Sequence, residues 1–345
     1  MDQIFQIGDF TFRMRYPKEV SPPPNFLLFT QIRHSDFIHA GEAYGKDDIS
    51  VPEPEYTYEI RVSDVLPQPT GKVIARRPDL VVFQETDGTE RGNGADEAVK
   101  SGSDGKSKDN TVEALKGGYE RSPEHSAGGH PALESRLIGV KGTEGYYACY
   151  RETGPDRAEV VLARDRIEGL HIDPVFTSLL ALERRMIRRD SLVLHCAYVL
   201  DHGEAILFSA PSETGKTTQA NLWEKYRGSR TVNGDRALLG KIDGRWHAQG
   251  WPVCGTSEVC NNEAHPIRAI VMLSQAKENR AERLTPGQAF PLLYSQITIN
   301  RWNMEDHILA MDLMEKLLAE VPVYHLGCTI SGEAVTCLEN ALREA

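Results

Sequence analysis

The segment with the clearest chemical signature runs Ala-Pro-Ser-Glu-Thr-Gly-Lys-Thr-Thr over residues 210–218. Its spacing is that of a phosphate-binding loop (Walker A), G-x-x-x-x-G-K-[ST], except that Ala210 replaces the first glycine. In such a P-loop the backbone N–H groups surround phosphate oxygens, and the helix that follows adds partial positive charge. The residues predicted to bind a nucleotide are Pro211, Ser212, Glu213, Thr214, Gly215, Lys216, Thr217 and Thr218.

The side chains of this loop predict the cofactors ATP and Mg²⁺. We expect Lys216 to reach the β- and γ-phosphates and the Thr217 hydroxyl to supply one ligand to Mg²⁺. Glu213 brings a carboxylate into the loop, where it would repel phosphate unless it points outward. The sequence does not choose between ATP and GTP, and a chance strand–turn–helix is the alternative interpretation.

Two residues outside the loop extend the predicted site. Asp235 ends the strand that follows the P-loop helix, where a carboxylate can hold Mg²⁺ or act as base on an incoming hydroxyl. A plain turn aspartate fits the same position. His195 lies on the strand before the P-loop strand, and a hairpin between the two would bring it beside the loop. A buried core histidine is the other interpretation.

The order His195, hairpin, strand, Gly-Lys-Thr-Thr loop, helix, Asp235 resembles the catalytic domain of HPr kinase/phosphorylase, which is similar to the nucleotide site of phosphoenolpyruvate carboxykinase. The resemblance covers residues 192–239 at the level of motifs and residues 190–340 loosely. It implies that Lys216 and Thr217 contact phosphates and metal, that Asp235 lies near the transferred phosphoryl group and that His195 assists it. Catalytic roles are therefore expected for Asp235, His195 and Lys216.

The chain departs from HPr kinase in ways that concern its substrate. Gly234-Asp235 stands where that family has paired aspartates, and its later glycine-rich signature is missing. The chain looks closer to a looser group of HPr-kinase-like proteins that includes the serine kinases of lasso-peptide pathways. The segments that carry this similarity begin at Leu194, Ser209, Gly250 and Ala276.

Further residues are candidates for contact with an acceptor or with the transferred phosphate. The segment 250–262 is expected to be a loop over the site, with Trp251, Ser257, Glu258 and Asn262 able to contact an acceptor, or else a structural loop. An arginine could neutralise transferring charge. The candidates are Arg268, Arg280, Arg283 and Arg301, each of which could equally be a surface residue.

The leading hypothesis is an ATP-dependent kinase that transfers the γ-phosphoryl group to a hydroxyl. The acceptor is expected to be a serine of a peptide or protein, or a small hydroxylated molecule. The alternative is a non-catalytic, nucleotide-gated protein that binds a partner, which Ala210, Glu213 and the single aspartate would favour. A carboxykinase-like enzyme ranks last, because it needs additional metal and anion ligands.

The amino-acid composition limits which partners and which cellular location are expected for this protein. The 345 residues carry 50 acidic against 39 basic side chains, a net charge of −11, which argues against a nucleic-acid partner. No apolar run is long enough to span a membrane and the first residues lack a signal pattern, so we expect a cytoplasmic protein without membrane contact. A homo-oligomer is compatible with the sequence, which does not set the oligomeric state.

Residues 190–345 are expected to form the α/β P-loop kinase domain of HPr kinase/carboxykinase type, a mixed sheet with helices. Strands are predicted at 192–200, 205–209, 230–233, 237–242, 245–250, 267–273 and 321–326. Helices are predicted at 221–226, 286–297, 304–320 and 332–343.

Residues 1–165 are expected to form a β-rich N-terminal region, from period-two alternation broken by prolines. Its strands are predicted at 10–15, 25–30, 56–62, 73–75, 80–83, 137–140, 146–151 and 157–162. A disordered insertion is predicted at 87–132, where large apolar residues almost vanish. Residues 166–189 should connect the two parts, with one amphipathic helix over 175–189 that has a proline at its start.

Overall fold

The computed structural model describes residues 1–31, 53–85, 133–140, 142–171 and 173–343. These residues form two extended β-sheet systems, with most of the helices in the C-terminal half, so the fold is mixed α/β. The insertion predicted at 87–132 lies outside the described residues.

The N-terminal half forms one nine-stranded sheet, in the order β3-β1-β2-β4-β9-β8-β7-β6-β5. Most neighbours are antiparallel, whereas β4 runs parallel to both β2 and β9. Its strands are β1 (Asp2–Ile7), β2 (Phe10–Arg15), β3 (Thr30–Gln31), β4 (Tyr56–Ser63), β5 (Lys72–Arg77), β6 (Leu80–Gln84), β7 (Glu134–Ile138), β8 (Ala148–Gly154) and β9 (Arg157–Ala163). The region is β-rich as expected.

The strand predicted at 25–30 is wrong. The segment forms a short helix, α1 (Pro24–Leu27), and only its end pairs as β3. A proline is favourable in the first turn of a helix because it has no N–H to leave unpaired. Strand β1, which was not predicted, lies between β2 and β3.

The single helix predicted over 175–189 is also wrong. The structure has a 3₁₀ helix (Arg164–His171) followed by α2 (Asp173–Leu179) and α3 (Leu182–Ile187). The break falls at Ala181, whose φ is +48°. It leaves the Leu180 carbonyl to accept a hydrogen bond of 2.8 Å from the buried Tyr58 hydroxyl.

Two long strands organise the C-terminal half. Strand β10 pairs with β13 over its first part and with β11 and β12 over its second. Strand β15 likewise pairs with β14, β11 and β17. The strands are β10 (Leu192–Asp201), β11 (Glu204–Ser209), β12 (Arg230–Asn233), β13 (Arg236–Ile242), β14 (Arg245–Gln249), β15 (Ala264–Gln275), β16 (Arg280–Arg283) and β17 (Val323–Cys328).

Helices pack on the sheets of the C-terminal half and bury the faces of these sheets. Strand β10 is buried on both faces, which explains its near-continuous apolar sequence. The helices are α4 (Lys216–Arg227), α5 (Pro286–Tyr294), α6 (Met304–Glu320) and α7 (Gly332–Arg343). Among the described residues, no helix combines the length and the apolar character that a membrane crossing requires.

One hydrophobic core contains residues from both halves of the chain. The cluster built on the N-terminal sheet also contains Val193, Leu238, Trp251 and Val253 from the C-terminal half. Two further clusters lie on β10, β11 and β15 beneath the surrounding helices. The division at residues 165 and 190 stays a prediction, and the two halves share buried apolar contacts.

Candidate active site

The phosphate-loop segment connects β11 to α4, the strand-to-helix context that the sequence predicted. Strand β11 pairs antiparallel with β10 through the turn at 201–204, where His202 (φ +49°) and Gly203 (φ +84°) adopt left-handed conformations. Two consecutive positive φ angles match the right-handed twist of a tight hairpin. Cys196 therefore pairs with Ser209, which brings the neighbouring His195 to the end of the hairpin where the loop begins.

Two loop residues adopt left-handed backbone conformations, Glu213 (φ +65°) and Gly215 (φ +116°). Gly215 caps α4, and its φ is one that a residue with a Cβ rarely adopts. Ala210 is not among the residues with positive φ, so replacing the first glycine needs no strained backbone. The Glu213 side chain is exposed, as are Pro211, Ser212 and Thr217.

Lys216 folds back over the loop. Its Nζ donates to the carbonyl oxygens of Ala210 (3.0 Å) and Pro211 (3.2 Å), and the residue is only 8% exposed. Burial lowers the pKa of the Lys216 ammonium, and the negative charge of Asp235 opposes that change. The ammonium is held at the mouth of the loop, and its electrostatic partner is the predicted aspartate.

His195 and Asp235 lie side by side, a contact that the sequence analysis did not specify. His195 Nε2 lies 3.5 Å from Asp235 Oδ1, and Gln296 Oε1 lies 3.3 Å from the other ring nitrogen. The pairing of β10 with β13 produces this contact, because His195 is in register with Arg236, the residue after Asp235. Both side chains are 22% exposed, so solvent and a ligand can reach them.

A turn built on Asn233 presents Asp235. The Asn233 side-chain oxygen accepts hydrogen bonds of 2.9 Å from the backbone N–H groups of both Asp235 and Arg236. Such a turn fixes the backbone locally. Arg236 Nε donates to Asp235 Oδ2 at 3.1 Å, so the two carboxylate oxygens face different partners, His195 and Arg236.

The electrostatics keep Asp235 ionised. Burial pushes the pKa of Asp235 upward, but the hydrogen bond from His195 and the charges of Arg236 and Lys216 outweigh burial and leave the pKa below its ordinary value. A carboxylate that stays charged suits metal binding and the orientation of a hydroxyl, while its low basicity makes it a weaker proton acceptor.

The segment 250–262 packs against this turn. A Cβ built at Gly234 would lie 1.8 Å from Ser257 Oγ and 2.3 Å from Ser257 Cβ, and one at Gly255 would lie 3.1 Å from the Asp235 side chain. Only glycine fits at 234, so the second carboxylate of the HPr kinase pattern has no room here. Trp251 is buried and its carbonyl accepts from the Asn233 side chain, while Glu258 is exposed and Asn262 Nδ2 donates to Leu28 O at 3.4 Å.

Three of the four arginines proposed from the sequence have other partners, and the fourth, Arg283, is exposed on β16. Arg268 pairs with Asp201 (3.2 Å) at the turn end of the β10–β11 hairpin, opposite the phosphate loop. Arg280 pairs with Glu282, and Arg301 stacks on Tyr294. Sequence reasoning missed Arg236 and Gln296; the position of Arg236, next to Asp235 and opposite His195 in a paired strand, is the signal that could have identified it.

A magnesium ion would find few protein ligands here. In the part of the chain that the structure describes, no group of three or more His, Cys, Asp or Glu residues could hold a metal. Mg²⁺ often keeps several waters and binds one or two carboxylates together with phosphates. Asp235 and the exposed hydroxyl of Thr217 fit that pattern.

The fold is mixed α/β, and residues 210–218 connect a strand to a helix in it. A family model described as SynChlorMet cassette protein ScmC matches residues 163–343, just over half of the chain, and the chain belongs to this family. The matched residues include the loop, His195 and Asp235. No curated protein matches the chain.

The chain is also similar to the solved structure of the Hpr(Ser) kinase/phosphatase from Coxiella burnetii. The identity is 11%, the similarity covers 44% of this chain and 88% of that chain, and the TM-score is 0.26. Similarity at this level is too low to bear on function.

Proposed function

We propose that this chain is an ATP-dependent kinase that transfers the γ-phosphoryl group to the hydroxyl of an acceptor. The acceptor would be a serine of a peptide or protein, or a small hydroxylated molecule. The observation that carries the proposal is the contact of the Asp235 carboxylate with His195, at 3.5 Å, beside the loop that holds Lys216.

The residues present fit a bound nucleotide with its metal. Pro211–Thr218 would hold the phosphates through the loop backbone and Lys216, and Thr217 with Asp235 would hold Mg²⁺. The twelve-residue helix α4 begins at Lys216, so its N-terminal partial positive charge faces the same place. When bound, ATP would supply the phosphoryl group and leave as ADP.

The three charged or ionisable side chains of the site divide the chemical work in this proposal. Lys216 gives up its two carbonyl partners to pair with phosphate oxygens, which neutralises their charge. Asp235 orients the acceptor hydroxyl and takes its proton as the hydroxyl oxygen attacks. His195 donates to Asp235 and keeps it in place, and most of the rate enhancement would come from positioning and charge neutralisation.

A second candidate is a nucleotide-gated protein that binds a partner without phosphoryl transfer. The closed contact between Gly234 and Ser257 favours it, because the site has one carboxylate where HPr kinase has two. In that case nucleotide would bind and Asp235 would contribute only to metal affinity.

Slow ATP hydrolysis, with water as acceptor, separates the two candidates without knowledge of the natural acceptor. We expect phosphate release from wild type above background and a loss of about 100-fold or more in Asp235→Asn, with both proteins compared at saturating MgATP because Asp235 also holds the metal. The control is Asp243→Asn, an exposed turn aspartate in the β13–β14 hairpin. Hydrolysis that is equally fast in Asp235→Asn would refute the catalytic role.

A further inference from the structure

A short extended segment, residues 296–298, lies against the first part of β10 beside the candidate active site. Helix α5 ends two residues before this segment, and the chain then pairs with β10. His195 N donates a backbone hydrogen bond of 3.0 Å to Gln296 O, and Thr298 N donates one of 2.9 Å to Val193 O. These bonds fix the segment on the strand that carries His195.

Gln296 holds the ring of His195. Gln296 is buried, and its Oε1 lies 3.3 Å from His195 Nδ1. The Ser295 hydroxyl donates its one proton to Leu292 O at 2.7 Å, so its oxygen accepts the 2.8 Å hydrogen bond from Gln296 Nε2. The Gln296 oxygen, which can only accept, is thereby turned toward His195. Nδ1 therefore donates to Gln296, and Nε2 is the ring nitrogen that faces Asp235.

Thr298 holds the guanidinium group of Arg236. Arg236 Nη1 donates to Thr298 Oγ1 at 3.0 Å, while Arg236 Nε donates to Asp235 Oδ2 at 3.1 Å. Because the guanidinium group is a rigid plane, bonds at two of its nitrogens define its orientation. Thr298 therefore fixes the cation that contacts one oxygen of Asp235, just as Gln296 fixes the imidazole that contacts the other.

The two sets of contacts meet at one carboxylate. Asp235 Oδ1 lies beside His195 and Oδ2 beside Arg236, and the same short segment, 296–298, holds both of these partners. The Asn233 turn fixes the backbone of Asp235, whereas these contacts fix its side chain. A group that orients a reacting hydroxyl has to be held within about 0.5 Å of its productive position, which requires that its partners are themselves held.

We propose that segment 296–298 positions the Asp235 carboxylate through two separate contacts. In the first, Gln296 acts through His195. In the second, Thr298 acts through Arg236. Both are positioning residues, because their hydrogen bonds go to the partners of Asp235 and not to Asp235 itself. The importance of this position for phosphoryl transfer rests on the proposed kinase function, but the contact of Gln296 with His195 can be measured without nucleotide.

Two variants of similar shape each remove one contact. Gln296→Met removes the acceptor of the His195 Nδ1 proton, and Thr298→Val removes the acceptor of Arg236 Nη1. Each should lower kcat for ATP hydrolysis about tenfold at saturating MgATP, the loss expected from one hydrogen bond. The control is Thr57→Val, at a half-buried threonine on β4 that has no side-chain hydrogen bond among the described residues, and it should leave kcat unchanged.

Crossed double-mutant cycles show whether each residue acts through its own partner. In the His195→Phe background, Gln296→Met should change kcat by less than about twofold, whereas Thr298→Val should keep its full effect. In the Arg236→Gln background the two variants should exchange these results. Losses of kcat that persist in both backgrounds would mean that the variants merely loosen the segment, and would overturn the proposal.

NMR of the ring nitrogens tests the Gln296 contact independently of activity. In the full chain with isotope-labelled histidine, the His195 signals are identified by their absence in His195→Phe. We expect a protonated Nδ1 in wild type and a change in the Nδ1 signal that is larger in Gln296→Met than in Thr298→Val. An unprotonated Nδ1 in wild type, or equal changes in the two variants, would overturn the positioning role of Gln296.

Failure of the positioning role and failure of the kinase proposal give different results. If wild type does not hydrolyse ATP while the His195 Nδ1 signal depends on Gln296, the kinase proposal fails and the contact stands. If wild type hydrolyses ATP while Gln296→Met and Thr298→Val both keep the wild-type kcat, the positioning role fails and the kinase proposal stands.

Discussion

Replacing Gly234 by alanine tests the packing that holds Asp235 in place. The new Cβ would lie 1.8 Å from Ser257 Oγ and 2.3 Å from Ser257 Cβ, well inside ordinary contact distance. Rotating the serine side chain can move Oγ, at the expense of its 2.7 Å hydrogen bond to Cys254 O, but it cannot move Cβ. The turn Gly255–Ser257 must therefore shift, and Gly255 packs directly against Asp235.

The magnitude follows from these distances. Overpacking of this kind costs about 1–3 kcal/mol, and the lost serine hydrogen bond adds roughly 1 kcal/mol. Gly234 is not among the glycines with positive φ, so alanine gains back about 0.4–1 kcal/mol from reduced freedom of the unfolded chain. We expect Gly234→Ala to lower the free energy of unfolding by about 2 kcal/mol in urea titrations.

A double-mutant cycle isolates the clash. In the Ser257→Gly background both colliding atoms are gone, and Gly234→Ala should be neutral within about 0.5 kcal/mol or slightly stabilising. In the Ser257→Ala background the Cβ remains, and most of the cost should persist. Gly287→Ala, at an exposed helical position with no atoms within 4 Å of the new Cβ, is the control. The predicted clash with Ser257 would be refuted if Gly234→Ala were as stable as wild type. It would also be refuted if Gly234→Ala lowered the free energy of unfolding equally in wild type, Ser257→Gly and Ser257→Ala.

Two further predictions concern charge. Burial favours the neutral form of Glu152, but the charges of Arg185 and Arg184 lower its pKa to about 2. Its stabilisation, on the order of 3 kcal/mol, should be complete above the ordinary carboxylate pKa and vanish as pH falls toward about 2. Glu152→Gln should therefore destabilise the chain at pH 7 more than at pH 3 in urea titrations, and an equal loss at both would contradict this. Removing the Arg236 charge by Arg236→Gln should raise the pKa of Asp235. The loss of MgATP affinity on acidification should therefore shift to higher pH. If the dependence of MgATP affinity on pH does not shift, the contact between Arg236 and Asp235 does not control the charge of Asp235.

Local sequence signals were enough to predict the secondary structure around the candidate site. An apolar run, a turn of Asp-His-Gly-Glu and a second apolar run predict the β10–β11 hairpin, and the P-loop spacing places a helix directly afterwards. The contact between His195 and Asp235 follows from that hairpin together with the pairing of β10 and β13.

Several features that were not predicted depend on contacts between residues far apart in the sequence. The break at Ala181 accompanies a hydrogen bond from Tyr58, which lies more than a hundred residues earlier in the chain. Strand β16 reads Arg-Ala-Glu-Arg and is largely exposed at the sheet edge, so it has no hydrophobic pattern to detect. The need for glycine at 234 depends on the approach of Ser257, and the role of Arg236 depends on strand register.

The most direct test of the central claim is calorimetric titration of MgATP into wild type and Lys216→Ala. The control is Lys225→Ala, an exposed lysine in the last turn of the same helix. We expect saturable binding to wild type, a loss of at least tenfold in Lys216→Ala from the missing charge-assisted hydrogen bonds, and affinity within about twofold of wild type in Lys225→Ala. No binding of ATP or GTP to folded wild type, or equal affinity in Lys216→Ala, would contradict the assignment of this loop as a nucleotide site.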